Sequence, residues 1–389
     1  MTNSSTTPLQ LAFIGGGETS VVGYVHFCAS QMDNRFQVVA GAFCRDVEHN
    51  QATARQWGVS LERTYNDWQV LIENEQDKVD AFVLLTPTPD HLPMLEVLLN
   101  AGANVICEKS LVCGPKEAAV LGKIYDPEKQ FLAVTYNYSG YPMVRELQQR
   151  IAQGELGKIQ KIHLEMPQEG FRRPPDIAGK AAQPQAWRLH DEEVPTICLD
   201  LGVHLHHLSS LLIGHEPIAT VAQFANHSQY DRLIDDVNML LKYPNDIKGS
   251  MWMSKTAIGH RNGLQVRVYG ELGSASWYQL NPDELDISYN DGTRKIIDRA
   301  TQCIVANEFR YNRMKPGHPT GFVEAFANLY ADIADSLSAF KRNESYDSPY
   351  VYGLDHATQG LALFAAAQAS DTSGEWENIA KHQVNWAGS

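Results

Sequence analysis

Residues Leu9 to Ser20 read LQLAFIGGGETS. Leu9 to Ile14 is a short apolar run closed by Gly15-Gly16-Gly17, and an apolar run bounded by glycines reads as a buried strand. Val21 to Met32 behind it reads as a helix. Further out, Phe36 to Phe43 predicts a second strand, and Asn50 to Gly58 a second helix ending on a capping glycine. Val79 to Leu85 is another apolar run, stopped by Thr86-Pro87-Thr88-Pro89, where proline forbids continuation. His91 to Gly102 reads as a helix, Ala103 to Cys107 and Phe131 to Thr135 as strands. Strands alternating with helices imply βαβ units on a parallel sheet.

After Asn137 the pattern changes. A helix over Met143 to Gln153 leads into an alternating run, Ile159 to Met166, then a Pro/Gly-rich loop over Pro167 to Pro195. A helix over Leu199 to Leu212 precedes alternating runs at Ile218 to Phe224, Asp236 to Lys242, Ile247 to Met253, Leu264 to Gly270 and Ser274 to Tyr278. Turn signals between the later runs predict a mostly antiparallel sheet. Helices return at Gly321 to Phe340 and Leu354 to Ser370. The chain thus divides into a flexible tail over 1–8 and domains over 9–137 and 138–389. At 389 residues two domains are the natural expectation.

Composition is that of an ordinary globular chain, 43% hydrophobic and 20% charged, with a formal net charge of -14. That balance disfavours nucleic acid and anionic membrane as partners. Six scattered cysteines without a CxxC pair suggest neither a zinc knuckle nor a disulfide framework and fit a reducing cytoplasm. The N-terminus lacks the charged and apolar regions of a signal peptide, and no apolar run approaches membrane-span length.

The glycine turn has a chemical reading. Glycines let backbone N–H groups approach a pyrophosphate, which then sits on the next helix's N-terminus. The fingerprint is imperfect, because Ser20 stands at the third glycine and Gly23 follows. A tight turn without ligand is the plain alternative, but strand before and helix after favour the dinucleotide. At the second strand's tip stand Cys44-Arg45-Asp46. An acid there favours NAD and an arginine favours NADP. Asp46 serves equally as a helix cap, so NAD or NADP stays open.

Glu108-Lys109 follows a strand, where open α/β sheets place ligands. The alternative is a solvated ion pair. Asp200, His204 and His207 fall at i, i+4 and i+7, one helix face, an arrangement suited to general acid/base work. Zinc is disfavoured despite three close histidines, since a further ligand at sensible spacing is missing. Tyr136, Asn137 and Tyr138, Trp187-Arg188, and Gly317-His318-Pro319 offer groups for sugar hydroxyls or, equally, for domain packing.

The order of these motifs resembles the Gfo/Idh/MocA family, the glucose–fructose oxidoreductase and inositol dehydrogenase relatives. The resemblance runs from Leu9 along essentially the whole chain. Residues 135–142 (TYNYSGYP), Ala186-Trp187-Arg188, 264–273 and 317–326 (GHPTGFVEAF) look like the subgroup that includes levoglucosan dehydrogenase. The resemblance implies an α/β fold: an N-terminal Rossmann dinucleotide-binding domain, then an α/β domain with an open, mostly antiparallel sheet that builds dimers or tetramers. It implies Lys109 as catalytic lysine, Asp200 as substrate-binding acid and His204 as acid/base. It assigns Gly15, Gly17, Glu18, Thr19, Ser20, Cys44 and Arg45 to the cofactor. Thr86, Pro87, His91, Glu108, Lys109, Asn137, Trp187 and Arg188 join them. Tyr138, His207 and His318 would meet substrate beside Lys109, Asp200 and His204, with no metal.

Two positions depart from the family. His207 stands where many members have Asp. Ser110 stands where proline is usual, often in a cis peptide, and a non-proline cis bond costs about 2.5–4 kcal/mol, so a different local backbone is expected there. The implied activity is NAD(P)-dependent oxidation of a hydroxyl on a sugar, anhydrosugar or cyclitol. An NAD-dependent glycosidase and a non-catalytic dinucleotide sensor are the rivals. Lys109, Asp200 and His204 together speak against the sensor.

Overall fold

The computed structural model describes residues 7–174, 184–345 and 348–380. Most of the expected tail and residues 175–183 of the expected loop lie outside these. The first unit contains β1 (Leu9–Gly15), α1 (Val21–Gln31), β2 (Phe36–Ala42), α2 (Val47–Trp57), α3 (Trp68–Glu75), β3 (Ala81–Leu85), α4 (His91–Asn100), β4 (Val105–Cys107), α5 (Pro115–Ile124) and β5 (Leu132–Val134). Its five strands are parallel, in the order β2-β1-β3-β4-β5. Leu11, Ala12 and Phe13 of the interior strand β1 are fully buried, as a parallel sheet covered on both faces requires. Helices α3 and α5 were not anticipated. Both are short, α3 starting on the Asp67 cap and α5 on Pro115.

The second unit holds α6 (Pro142–Ala152), β6 (Ile159–Pro167), α7 (Val203–Ile213), β7 (Ala219–Ala225), β8 (Asp236–Lys242), β9 (Lys248–Ser254), β10 (Gln265–Gly270), β11 (Gly273–Tyr278), β12 (Asn281–Tyr289), β13 (Arg294–Asp298), α8 (Phe322–Lys341), α9 (Leu354–Ser373) and β14 (Glu377–Asn378). The nine-stranded sheet runs β13-β12-β11-β10-β6-β9-β8-β7-β14. Only the β6–β9 pair is parallel. Strands β12 and β13 were not anticipated either, because Asp283, Glu284, Asp286 and Lys295 dilute the apolar signal, although Leu285, Ile287 and Ile297 are buried.

One helix crosses the expected boundary. Phe326, Leu329, Tyr330, Ile333 and Leu337 of α8 share a core with Leu11, Phe13, Val25 and Val83 of the first unit. The chain therefore returns after 138 to roof one face of the parallel sheet. No helix among the described residues is long and apolar enough to cross a membrane.

Candidate active site

The β1–α1 turn builds a backbone cradle. Gly15 and Gly16 take φ of 80 and 75, which favours glycine. A Cβ on Gly23 would lie 1.9 Å from the Gly16 carbonyl oxygen. Gly23 therefore does what the fingerprint's third glycine does, namely close helix–strand packing. Ser20 is the N-cap of α1, its Oγ accepting from the Gly23 N–H at 3.1 Å. A groove of about 320 Å³ opens here, lined by Gly15, Gly17, Thr19, Ser20, Cys44, Arg45, Thr86 and Pro87 of the anticipated set. Gly16, Asn66, Trp68 and Gln185 line it as well. The bare backbone and free helix N-terminus fit a dinucleotide.

Other anticipated residues lie elsewhere. Glu18 is exposed, its backbone N–H donating to Thr53 Oγ1 at 3.0 Å, and it does not line the groove. His91 is fully buried between carbonyl oxygens, Nε2 2.8 Å from Thr86 and Nδ1 3.0 Å from Ser110. It positions the loop after β4 and has no free ring nitrogen for a cofactor. Asp46 caps α2 by accepting from the His49 N–H, and Arg45 extends into solvent toward Asp90 at 3.4 Å.

Cys107 ends β4, and the next two residues turn opposite ways. Glu108 points inward, 3.1 Å from His26 Nε2, and accepts from Thr135 Oγ1 at 2.5 Å. Burial pushes its pKa up, but His26, Lys109 and Thr135 outweigh burial and hold it below the usual value. The pair is therefore not a solvated Glu–Lys, and Glu108 braces the turn from beneath. The Lys109–Ser110 peptide is cis despite the missing proline, contrary to the expected difference. Lys109 Nζ donates to the Asp200 carbonyl at 2.8 Å and to its Oδ1 at 3.0 Å.

Asp200 sits in a π-turn, Cys198–Gly202, that leads into α7. Such turns are frequent at functional sites. Its carboxylate also meets Arg188 Nη1 at 2.5 Å and Lys255 Nζ at 2.6 Å. Burial raises its pKa, yet Lys255, Lys109 and Arg188 hold it well below the carboxylate range. Lys255 follows the end of β9 and also donates to Gln168 Oε1 at 2.8 Å. Arg188 lies over the Trp187 ring at 4.5 Å.

The expected Asp200–His204 unit is not a hydrogen-bonded dyad, because both Asp200 oxygens are taken by cations. His204 Nδ1 is instead buried without a partner among the described residues. Burial, then the Lys109 charge, lowers its pKa to about 3, so the ring is neutral near pH 7. The Tyr138 ring stands edge-on at 4.8 Å, its hydroxyl accepting from Asn262 Nδ2 at 3.2 Å. Asn137 Nδ2 beside it is also buried and unpartnered.

His207 faces away from this centre, stacked on Tyr136 at 4.5 Å with Nδ1 3.1 Å from His356 Nε2. Its neighbour His206 lies 2.6 Å from Glu216, which also meets His356 at 3.2 Å. Ligand atoms of these three lie within 4.8 Å of one another, so the fold supplies the further partners that spacing lacked. Hydrogen bonding to the carboxylate already accounts for the arrangement. His318 is exposed, its carbonyl accepting from Arg299 at 2.7 Å.

Lys255, Gln168, Asn262 and His26 escaped the sequence reading. The one usable signal was a lysine directly after the buried run Met251 to Ser254.

Comparison with known proteins agrees with this geometry. Residues 9–136 match the oxidoreductase family with an NAD-binding Rossmann fold, and 144–276 match the GFO/IDH/MocA C-terminal domain. An uncharacterized oxidoreductase of Bacillus subtilis is 29% identical over 345 residues, 87% of each chain. The crystal structure of an inositol dehydrogenase homolog complexed with NAD+ from Azotobacter vinelandii superposes with a TM-score of 0.87 at 26% identity, covering 96% of this chain and 98% of that one. Levoglucosan dehydrogenase of Pseudarthrobacter phenanthrenivorans is 22% identical over 69% of each chain. With both domain profiles matched in order, this chain belongs to the Gfo/Idh/MocA family of oxidoreductases.

Proposed function

We propose that the protein is a dehydrogenase for a secondary hydroxyl on a polyhydroxylated ring, a sugar, anhydrosugar or cyclitol. The observation that carries this is the neutral ring of His204, its Nδ1 without a partner among the described residues, beside the pair of Asp200 with Lys109, which follows β4. Neutral His204 accepts the hydroxyl proton. Lys109, oriented by the Asp200 carbonyl and carboxylate, stabilises negative charge developing on the same oxygen. Asp200 fixes the lysine in place, a different task from orienting the histidine. Asn137 and Tyr138 supply further polar edges.

The groove from Gly15 to Pro87 would hold NAD or NADP, which accepts the hydride at nicotinamide when bound. Likeness to the levoglucosan and inositol enzymes supports the ring class of substrate. The division at 137/138, with α8 lent back across it, separates cofactor and substrate roles. The solvated face of the nine-stranded sheet, where Leu240 is 53% exposed, supports a homodimer or homotetramer. The acidic, disulfide-free composition supports a cytoplasmic setting.

The test is to release and weigh any bound cofactor. Nicotinamide absorbance is then followed with NAD and NADP across sugars, anhydrosugars and inositols. Reversible change with one class is expected. Glycoside cleavage without net absorbance change would replace this reading with the hydrolase, and cofactor binding without any turnover would replace it with the sensor.

A further inference from the structure

Three cations converge on one carboxylate. Lys109, Arg188 and Lys255 all contact Asp200, at 3.0, 2.5 and 2.6 Å. The two lysine side chains and Asp200 are only 10–15% exposed. His204 is neutral, and the buried Glu108 behind Lys109 offsets one charge, so Lys109, Arg188 and Lys255 keep one positive charge in excess of Asp200 and Glu108.

Among the described residues, no carboxylate other than Asp200 forms a salt bridge with these cations. Asp191 accepts from the Thr196 and Ile234 N–H groups, at 2.8 and 2.9 Å. Asp235 accepts from His227 and Ser228, at 2.9 and 2.8 Å. Glu169 accepts from Arg173 and from Gly259, at 3.1 and 2.9 Å.

The lysines keep spare donors. Lys255 Nζ uses two of its three, on Asp200 and Gln168, and Lys109 Nζ uses two of its three, both on Asp200. Uncompensated buried charge is unfavourable, so such a cluster is completed by an anion. The excess is local, since the chain as a whole carries -14. The dinucleotide's phosphates belong to the glycine groove, whose lining includes none of these four residues.

We infer that the substrate is anionic: a polyhydroxylated molecule whose carboxylate or phosphate is received by Lys255 and Arg188, while Lys109 faces the reacting hydroxyl. This rests on the dehydrogenase reading above and narrows it. Lys255 is then a specificity residue, separate from the proton chemistry of His204.

The experiment compares kcat/KM of the cofactor-loaded protein on a hexuronate, an aldonate, a hexose phosphate, a neutral hexose and inositol. Calorimetric binding of the same compounds runs in parallel. One anionic class should exceed its neutral counterpart by about 10- to 100-fold, mostly through KM and less so at high salt. The carboxylate and phosphate arms identify which anion is read. Lys255→Met should collapse that preference, and Lys255→Arg should restore much of it, which separates lost charge from a damaged fold. Equal or better turnover of neutral compounds at low salt overturns the proposal and leaves the dehydrogenase standing. Anion binding without turnover of any compound upholds the anion site and removes the dehydrogenase. Neither binding nor turnover of any anion overturns the proposal.

Discussion

Helix α7 carries two buried polar clusters that differ in one respect. On one side, Asp200 and His204 sit among Lys109, Lys255 and Arg188, with His204 Nδ1 unpartnered. On the other, Glu216 receives His206, His356 and Ser210, at 2.6, 3.2 and 2.8 Å. Each cluster mixes histidines with a carboxylate. The second shares one carboxylate among three partners, and next to it His207 Nε2, on the ring bonded to His356, is also buried without a partner among the described residues. The first differs in gathering three cations on Asp200. A buried polar group without a partner costs free energy that folding does not return. Such nitrogens occur on both sides of α7, so the excess charge of the first cluster, and not its free nitrogen, is what points to binding.

The comparison breaks first at His204. His204→Ala is expected to lower kcat by about 100- to 10,000-fold, with the unfolding midpoint and cofactor affinity nearly unchanged. Steady-state kinetics and thermal denaturation check this. Unchanged turnover would remove His204 from the chemistry and erase the distinction between the two sides.

Glu216→Gln is the converse. It removes the charge that His206 and His356 share, and should cost about 1–3 kcal/mol of stability in urea titration. Turnover should stay within about threefold, under 1 kcal/mol of barrier. A large kcat effect with little destabilisation would make the closed side functional.

Acidification sharpens the closed side further. Burial lowers His356 from 6.5 to about 4, with Glu216 opposing the shift. Glu216 is itself below its ordinary value: burial raises it, but the His206 and His356 interactions prevail. Both folded values lie below the unfolded ones, so the unfolded chain binds more protons and stability is lost as the pH falls. The loss should run from about pH 6.5 down through 4 for His356 and continue below 4.5 for Glu216. In His356→Phe the slope of denaturation midpoint against pH across the upper window should be shallower than in the parent. Equal slopes would show that the histidine is already charged in the folded state.

The smallest effect belongs to Lys255. Without substrate, Lys255→Met relieves excess positive charge while removing one partner of Asp200, so the unfolding midpoint should move by no more than about 1 kcal/mol in either direction. A loss of several kcal/mol would show Lys255 to be a structural ion-pair partner and align the open side with the closed one.

Much of this was legible in one dimension. The run Leu9 to Gly17 reads as strand and turn because burial on both faces demands continuous apolar residues and the turn demands glycine. Lys109, Asp200 and His204 were found because they lie at a strand end and at helical spacing. Of their partners, Arg188 and Tyr138 were singled out and the others were not. Gln168, Lys255 and Asn262 belong to separate segments of the second unit, and no spacing rule links them to residue 200. His207 shares the helical period of His204, yet Tyr136 and His356 claim its ring. His91 sits beside Pro87 in sequence, but burial turns it onto the loop it braces.

The sequence by itself determined the alternation of strands and helices, the glycine cradle and the candidacy of Lys109, Asp200 and His204, because each depends on local geometry or on the period of one element. Tertiary structure alone decided that α8 roofs the first sheet, that Glu108 faces His26 while Lys109 faces Asp200, and that a lysine at position 255 completes the cation cluster. The physical reason is that burial and charge pairing are properties of space: they bring together groups tens to hundreds of residues apart, and no local pattern records which will meet.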